Sequence, residues 1–311
     1  MSETESRNSK PAGRGYFRDR TVVVTGASSG IGHDVALAFA ERGAQVALLA
    51  RRKAKLEELA ERIAGFGGRA MPVECDMTRC AEVQSAVEEV QNSFGTVDIL
   101  VNSAGLLIPG KVDEMRPEDL ERMMAVNLYG AVHAIQAVLP EMKARHNGRI
   151  INVGSLSGRR GISPLAGYSA SKFALVGLTE ALRVELFNTG VWTSLVMPGV
   201  IDTPMSQKSR DYKTMRALPM FAMPVRWVTW AVLAAATFGL PEVDVPPGSA
   251  IAEKIASLFP TATDAVLGFG TRIAERLGER AEKRDAAKGA TEKSARKLRE
   301  AAPGASPKTA A

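Results

Sequence analysis

Tyr168 and Lys172 stand four residues apart in Tyr168-Ser-Ala-Ser-Lys172, and apolar residues recur around them at helical spacing: Ala170, Phe173, Ala174, Val176, Leu178, Ala181, Leu182 and Leu186. On a helix that separation sets the two side chains one turn apart on one face. A phenol whose free pKa is about 10 is drawn toward phenolate by a neighbouring ammonium. Such a pair makes a proton donor and acceptor usable near neutral pH. Ahead of it, Gly148-Arg-Ile-Ile-Asn-Val-Gly-Ser155 is an apolar, β-branched run that reads as a buried strand, with the Ser155 hydroxyl at its end. Of the four tyrosines only Tyr168 has a lysine four residues on. An isolated Tyr/Lys pair is more often decoration on a helix, so the pairing gains meaning only if the chain also holds a nucleotide.

The start of the chain has the pattern for one. Arg20–Thr25 is a β-branched strand, followed at once by Gly26-Ala-Ser28-Ser29-Gly30-Ile31-Gly32 and a helix to Arg42, with Gly43 at the cap position. A glycine-rich turn between strand and helix lets backbone approach a pyrophosphate, whose charge the helix N-terminus favours. The spacing is T-G-x-x-x-G-x-G rather than G-x-G-x-x-G. The second strand, Gln45–Ala50, ends in Arg51-Arg52, with no acidic residue before Glu57. An acid there would bind a ribose 2′-hydroxyl, whereas arginine suits a 2′-phosphate. The reading is therefore NADP(H) over NAD(H), with Arg51 the first candidate and Arg52 the second.

Strand and helix keep alternating. Arg69–Glu74 is a strand leading to Asp76; a helix from about Arg79 to Phe94 follows; Val97–Val101 is a strand ending in Asn102-Ser103-Ala104-Gly105. A long helix runs from Pro117 through Asn127 to Met142, and after the Tyr168 helix come strand Trp192–Val196, Pro198-Gly199 and helix Arg226–Phe238. This alternation predicts an α/β fold with a doubly wound parallel sheet, whose ligands gather at the carboxyl ends of the strands. Every residue singled out above falls at such an end.

Together, Thr25–Gly32, Asn102–Gly105, Asn127, Ser155, Tyr168-x-x-x-Lys172 and Pro198-Gly199 resemble the classical short-chain dehydrogenase/reductase family over roughly residues 19–240. The resemblance implies a Rossmann-type sheet of order 3-2-1-4-5-6-7 and NAD(P)-dependent oxidoreduction between a ketone or aldehyde and an alcohol. It makes Tyr168 the general acid/base, with Lys172 lowering its pKa and holding the nicotinamide ribose. Ser155 would bond the substrate oxygen, and Asn127 would keep a water in a proton relay to Lys172. Asp76 would meet the adenine, and the backbone of Asn102, Ala104 and Gly105 the adenosine. After Pro198 and Gly199, Ile201 and Thr203 would hold the carboxamide and pyrophosphate. A homodimer or homotetramer is implied, with dimerisation through the long helices around Asn127 and Tyr168. Two departures stand out: Ser103 replaces the usual second Asn, and Pro241–Gly248, offering a short seventh strand, replaces the usual Val-Asp-Gly-Gly ending.

Met205, Met215, Leu218, Met220, Phe221 and Met223 occupy the place of a substrate lid, and Leu106, Leu107 and Ile108 follow the fourth strand. They suit a lipophilic substrate pocket or, equally, plain core closure. Composition excludes little else. The net charge of +6 sits at the ends: residues 279–311 hold nine Lys/Arg against five acidic groups, residues 1–18 hold four against two, and the rest balance. Nucleic acid is therefore not expected as a partner. Cys75 and Cys80 read as ordinary thiols of a reducing, cytoplasmic compartment, and no His or Cys cluster has metal-ligand spacing. The expected organisation is a disordered arm over 1–18, a catalytic domain over 19–248, an amphipathic helical extension over 249–278 and a basic, disordered tail over 279–311. Within the extension, Val266, Phe269, Ile273 and Leu277 make one apolar stripe, expected to pack on the domain; a membrane surface is the less favoured destination. A non-catalytic NADP-binding regulator or scaffold on the same fold is the rival to an enzyme, and an NAD-linked oxidative enzyme is disfavoured by Arg51.

Overall fold

The computed structural model describes residues 15–209, 212, 215, 222–274, 276 and 277. Seven strands form one all-parallel sheet: β1 (Thr21–Thr25), β2 (Gln45–Ala50), β3 (Arg69–Glu74), β4 (Val97–Asn102), β5 (Gly148–Val153), β6 (Val191–Pro198) and β7 (Glu242–Val245). Their order is β3-β2-β1-β4-β5-β6-β7. Each central strand is a run of Val, Ile and Leu because both its faces are covered. Alternation along β1 divides the interior: Val22 and Val24 join Phe39, Leu48 and Val232 on one face, while Val23 joins Leu49, Leu100, Val138 and Leu182 on the other. On the first face lie α1 (Gly30–Ala40), α2 (Lys53–Ala64) and α8 (Val225–Phe238); on the second lie α3 (Cys80–Phe94), α5 (Gly130–Ala144) and α6 (Ala166–Glu185). Pro72, which has no N–H to give, sits in β3 at the sheet's edge.

The chain reverses direction across the sheet between β3 and β4, so a crevice opens above the carboxyl ends of β1 and β4. There Thr25 is in register with Asn102, and Asn102 with Asn152 of β5. The long helix expected from Pro117 to Met142 is not uniform. It consists of α4 (Pro117–Met124), a π-helical segment over Ala125–Tyr129 and α5. By length and apolar composition Pro117–Ala144 would suffice to cross a membrane, yet Met123, Asn127, Ala134, Val138 and Met142 along it are buried in the domain.

Two expectations change. The N-terminal arm does not extend to Arg18: Phe17 is buried, stacked edge-on against Phe39 at 4.9 Å, and the Asp19 N–H bonds the Gly43 carbonyl at 2.9 Å. An aromatic side chain with a core pocket to fill outweighs the polar residues before it. The apolar spacing does mark helix α6, whose inner face is mixed polar and apolar. Ala170, Phe173 and Ala181 are exposed, while Tyr168, Ser171, Lys172, Leu175, Thr179 and Leu182 are buried. The extension contains α9 (Ser249–Leu258) and a further helix, α10 (residues 260–274), and Val266, Phe269, Ile273 and Leu277 are all exposed rather than packed on the domain. Residues 1–14 of the arm and the tail from 279 lie outside the described residues.

Candidate active site

The glycine turn is built by close backbone approach. Gly26 has φ +71°, and a Cβ on it would fall 2.7 Å from the Ala104 Cα; a Cβ on Gly32 would fall 2.6 Å from the Gly26 carbonyl oxygen. The Thr25 hydroxyl oxygen accepts the N–H groups of Ser103 and Ala104, each at 3.1 Å, pinning the β4 end to the β1 end. Helix α1 opens after Ser29 with no side-chain cap and no acidic residue in its first turn. Its first N–H groups are thus directed out of the turn without a protein side chain to accept them, which fits a pyrophosphate. Ile31 anchors the turn against the core below.

Arg52, not Arg51, crosses this turn. Its guanidinium donates to the Ser28 hydroxyl at 2.8 Å and to the Ser29 hydroxyl at 2.7 Å. The strand ends at Ala50, and the second residue beyond it points back over the glycines. Arg51 acts instead on Asp76. Burial alone would raise the Asp76 pKa, but bonds from the Thr78 N–H and hydroxyl, together with the charges of Arg51 and Arg79, hold it below its ordinary value.

Helix α6 brings its buried polar groups to the other end of the crevice. The Tyr168 hydroxyl is hydrogen-bonded to the Ser155 side chain, and the Ser155 oxygen also accepts the Ser157 N–H at 3.1 Å, starting a 3-10 turn over Leu156–Gly158. Lys172 Nζ donates to the Val153 carbonyl at 2.9 Å and lies 5.8 Å from the Tyr168 ring centre. Burial pushes Tyr168 up to about 12, against a smaller lowering by Ser155, and pulls Lys172 down to about 8. Burial thus outweighs any pull of the ammonium toward phenolate. In the protein itself desolvation dominates both groups, because each is buried.

Asn127 owes its position to the π-helical segment, a feature that often accompanies functional sites. It is 1 % exposed; its side-chain oxygen accepts the Leu106 N–H at 2.7 Å, and its amide donates to the Leu106 carbonyl at 2.9 Å and the Ser171 hydroxyl at 2.8 Å. Ser171 in turn donates to the Tyr168 carbonyl at 2.7 Å. Asn127 thus ties the loop after β4 to the helix bearing Tyr168. Below it a second polar ladder escaped sequence reasoning: Asn102 donates to Asn152 at 2.9 Å, Asn152 to Thr179 at 2.9 Å, and Thr179 to the Leu175 carbonyl at 2.6 Å. The available signal was Asn152, a polar residue inside an otherwise apolar strand.

The remaining candidates close the crevice. Pro198 ends β6, and the Gly199 N–H bonds the Val245 carbonyl at 2.7 Å. Ile201 is buried and bridges to Met223, while Thr203 caps α7 (Pro204–Lys208) reciprocally with Ser206. A Cβ on Gly30 would touch Thr203 at 3.4 Å, and one on Gly105 would touch Met205 at 3.4 Å, so this segment lies across both cofactor-side turns. Tyr168 shares an apolar cluster with Met123, Leu165 and Met215, bordered by Leu106, Leu107, Ile108 and Met115. Leu218, Met220 and Phe221 of the expected lid lie outside the described residues. A cavity of about 680 Å³ between Gly110, Ile162, Pro164, Ala170 and Phe173 is lined by neither Tyr168 nor Ser155. Cys75 is a buried free thiol that burial raises to about 12, consistent with an inert role.

These features define a class. Residues 20–214 match the family model of the short chain dehydrogenases, and the chain belongs to that family of oxidoreductases. Among its relatives, an uncharacterized oxidoreductase of Staphylococcus saprophyticus is 41 % identical over 191 residues, covering 61 % of this chain and 82 % of the relative. Another, from Staphylococcus aureus, is 34 % identical over 212 residues, covering 66 % and 91 %. Two solved structures are similar in fold. A short chain dehydrogenase/reductase from Burkholderia phymatum in complex with NAD has a TM-score of 0.73 at 23 % identity, covering 81 % of this chain and 96 % of that one. A single-residue variant of the actinorhodin polyketide ketoreductase with NADPH has a TM-score of 0.69 at 30 % identity, covering 74 % and 97 %.

Proposed function

We propose that this oxidoreductase uses NADP(H) to interconvert a lipophilic ketone or aldehyde and its alcohol, with Tyr168 as general acid/base. The observation that carries the reading is the buried Tyr168 hydroxyl bonded to Ser155, one helical turn from buried Lys172 at the mouth of a glycine-turn crevice. Gly26, Ser28, Ser29, Gly30, Ile31 and Gly32 would hold the pyrophosphate, Arg52 with Arg51 the 2′-phosphate, and Asp76 the adenine. Asn102, Ala104 and Gly105 would flank the adenosine. Tyr168 and Lys172 would meet the nicotinamide ribose, and Pro198, Gly199, Ile201 and Thr203 the nicotinamide and pyrophosphate. When bound, the nicotinamide supplies or accepts the hydride.

The protein's part is proton control. With its pKa raised, Tyr168 is a phenol at neutral pH and can give its proton to a carbonyl oxygen that Ser155 also bonds. Oxidation of an alcohol needs the phenolate, so that direction should strengthen as pH rises. Lys172 is cationic below about pH 8 and stabilises negative charge on the phenol oxygen once the proton has left. Asn127 serves by fixing α6 against the Leu106 loop. Support for NADP comes from Arg52 at the turn, since a guanidinium recognises phosphate in two-point fashion. The NADPH named with the ketoreductase agrees, and the NAD named with the Burkholderia protein makes the cofactor a point to measure. The apolar cluster around Tyr168 supports a lipophilic substrate. Exposed Tyr129 and Phe173 on the two long helices support a homodimer or homotetramer.

The test is consumption of NADPH and of NADH with ketones and aldehydes of increasing apolar bulk. The expected result is NADPH-linked reduction that improves with bulk. Tight NADPH binding with no turnover on any carbonyl would favour the regulator or scaffold reading instead.

A further inference from the structure

Beyond β7 the chain leaves the sheet, and the two helices among the described residues there are amphipathic in an inverted sense. The contacts that hold them to the domain are polar. Asp244 accepts the Ala250 N–H at 2.6 Å and is paired with Arg159 at 2.6 Å; Arg160 is paired with Asp264 at 2.6 Å and faces Glu253 of α9 at 3.8 Å. The apolar side chains are left outside. Ile251, Ile255, Leu258 and Phe259 of the first stretch, and Val266, Phe269, Ile273 and Leu277 of the second, are each 43–72 % exposed. Their three- and four-residue spacing gathers them into stripes. Contiguous apolar stripes of this extent mark an interaction surface.

Charge selects the partner. The sequence that follows, residues 279–311, holds nine Lys/Arg against five acidic groups, whereas residues 19–278 hold equal numbers of each sign. A second copy of the chain would bring an electrically balanced body and the same basic tail, and so no counter-charge. An anionic lipid surface offers both an apolar layer for the stripes and negative charge for the tail. We infer that residues 249–277, with the basic sequence after them, dock this protein on an anionic membrane surface, lying in its plane. Asp264 is held by Arg160, five residues beyond Ser155, so the docked helices sit beside the loop that follows the candidate active site.

The experiment is co-sedimentation of the full chain with phosphatidylcholine vesicles, and with vesicles in which a third of that lipid is replaced by phosphatidylglycerol. The expected result is binding to the anionic vesicles at least ~10-fold stronger than to the neutral ones, weakened by molar salt. Phe269→Ser with Ile273→Ser should reduce binding at least ~10-fold by removing buried apolar area. Lys293→Gln, Arg296→Gln, Lys297→Gln and Arg299→Gln together should do the same by removing charge. Both variants alter residues away from the cofactor crevice, so NADPH binding and melting temperature should stay at parental values and report that they fold. No binding to either vesicle, or equal binding to both, would overturn the proposal. So would a Phe269/Ile273 variant that binds vesicles normally while its oligomer, measured by light scattering, falls apart; that outcome would assign the stripes to contact between copies.

Discussion

Helix α6 and helix α10 both carry apolar residues at three- and four-residue spacing, but α6 buries Leu175 and Leu182 in the domain whereas α10 buries none of its stripe. On α6 the inner face is largely polar: Tyr168 meets Ser155, Ser171 meets Asn127, Lys172 meets Val153, and Thr179 meets Asn152. Its Phe173 and Val184 face outward at 44 and 77 % exposure, as does Phe187 just past its end. On α10 the acidic Asp264 is tied to Arg160, and the apolar stripe faces outward. Periodicity reveals that the faces of a helix differ. Which face goes inside is decided by what waits for it. The strand ends under α6 present fixed donors and acceptors, so buried polar groups there are satisfied rather than penalised.

The contrast can be broken most directly by truncating one apolar side chain on each helix. Leu175→Ala, in the α6 interior, should lower unfolding free energy in urea by about 2–5 kcal/mol. Phe269→Ala should change it by no more than about 0.5 kcal/mol when no lipid is present. Comparable losses at both positions would mean that the α10 stripe is covered in solution. At the crevice, Arg52→Ala should weaken NADPH binding by about 1.5–3 kcal/mol and leave NADH nearly untouched, with Arg51→Ala the milder of the two. Cofactor titrations in which Arg51 matters more would restore the order that the sequence suggests.

The polar inner face of α6 is tested by Thr179→Val, which removes the acceptor of the Asn152 amide at constant volume. A loss of about 1–3 kcal/mol in stability is expected, and a neutral result would show that the ladder contributes little. The smallest effect is one of pH. Lys172 has a folded pKa of about 8 against an ordinary 10.5, so between those values the unfolded chain binds more protons and stability rises with pH. Thermal unfolding of the parent relative to Lys172→Met should therefore move in the parent's favour from pH 8 to 10.5. A constant difference across that window would place the lysine's titration elsewhere.

What the sequence made legible follows from which interactions are local. The strands were readable because Val, Ile and Leu runs between turn residues need no partner to be recognised. Gly26 and Gly32 were readable because only glycine fits where a Cβ would fall 2.6–2.7 Å from neighbouring backbone. The π-helical step at Asn127 was not, since one extra residue in a turn leaves the apolar pattern almost unchanged. That Arg52 bonds Ser28 and Ser29 was not legible, because a side chain's reach depends on where the strand stops, within a residue. Phe17 was hidden by the polar chain before it, and its pocket is made by Phe39, far along the sequence. The destination of the α10 stripe was illegible for the same reason: a partner outside the helix decides it.

In the proposed reaction the hydroxyl of Tyr168 moves the proton during carbonyl reduction. Single-turnover reduction with saturating NADPH, compared between the parent and Tyr168→Phe, measures it most directly, because the phenyl ring keeps its place in the cluster with Met123, Leu165 and Met215. NADPH affinity should be unchanged and the rate at least ~100-fold lower. A rate near the parental value, with the variant folded and loaded, would contradict that role.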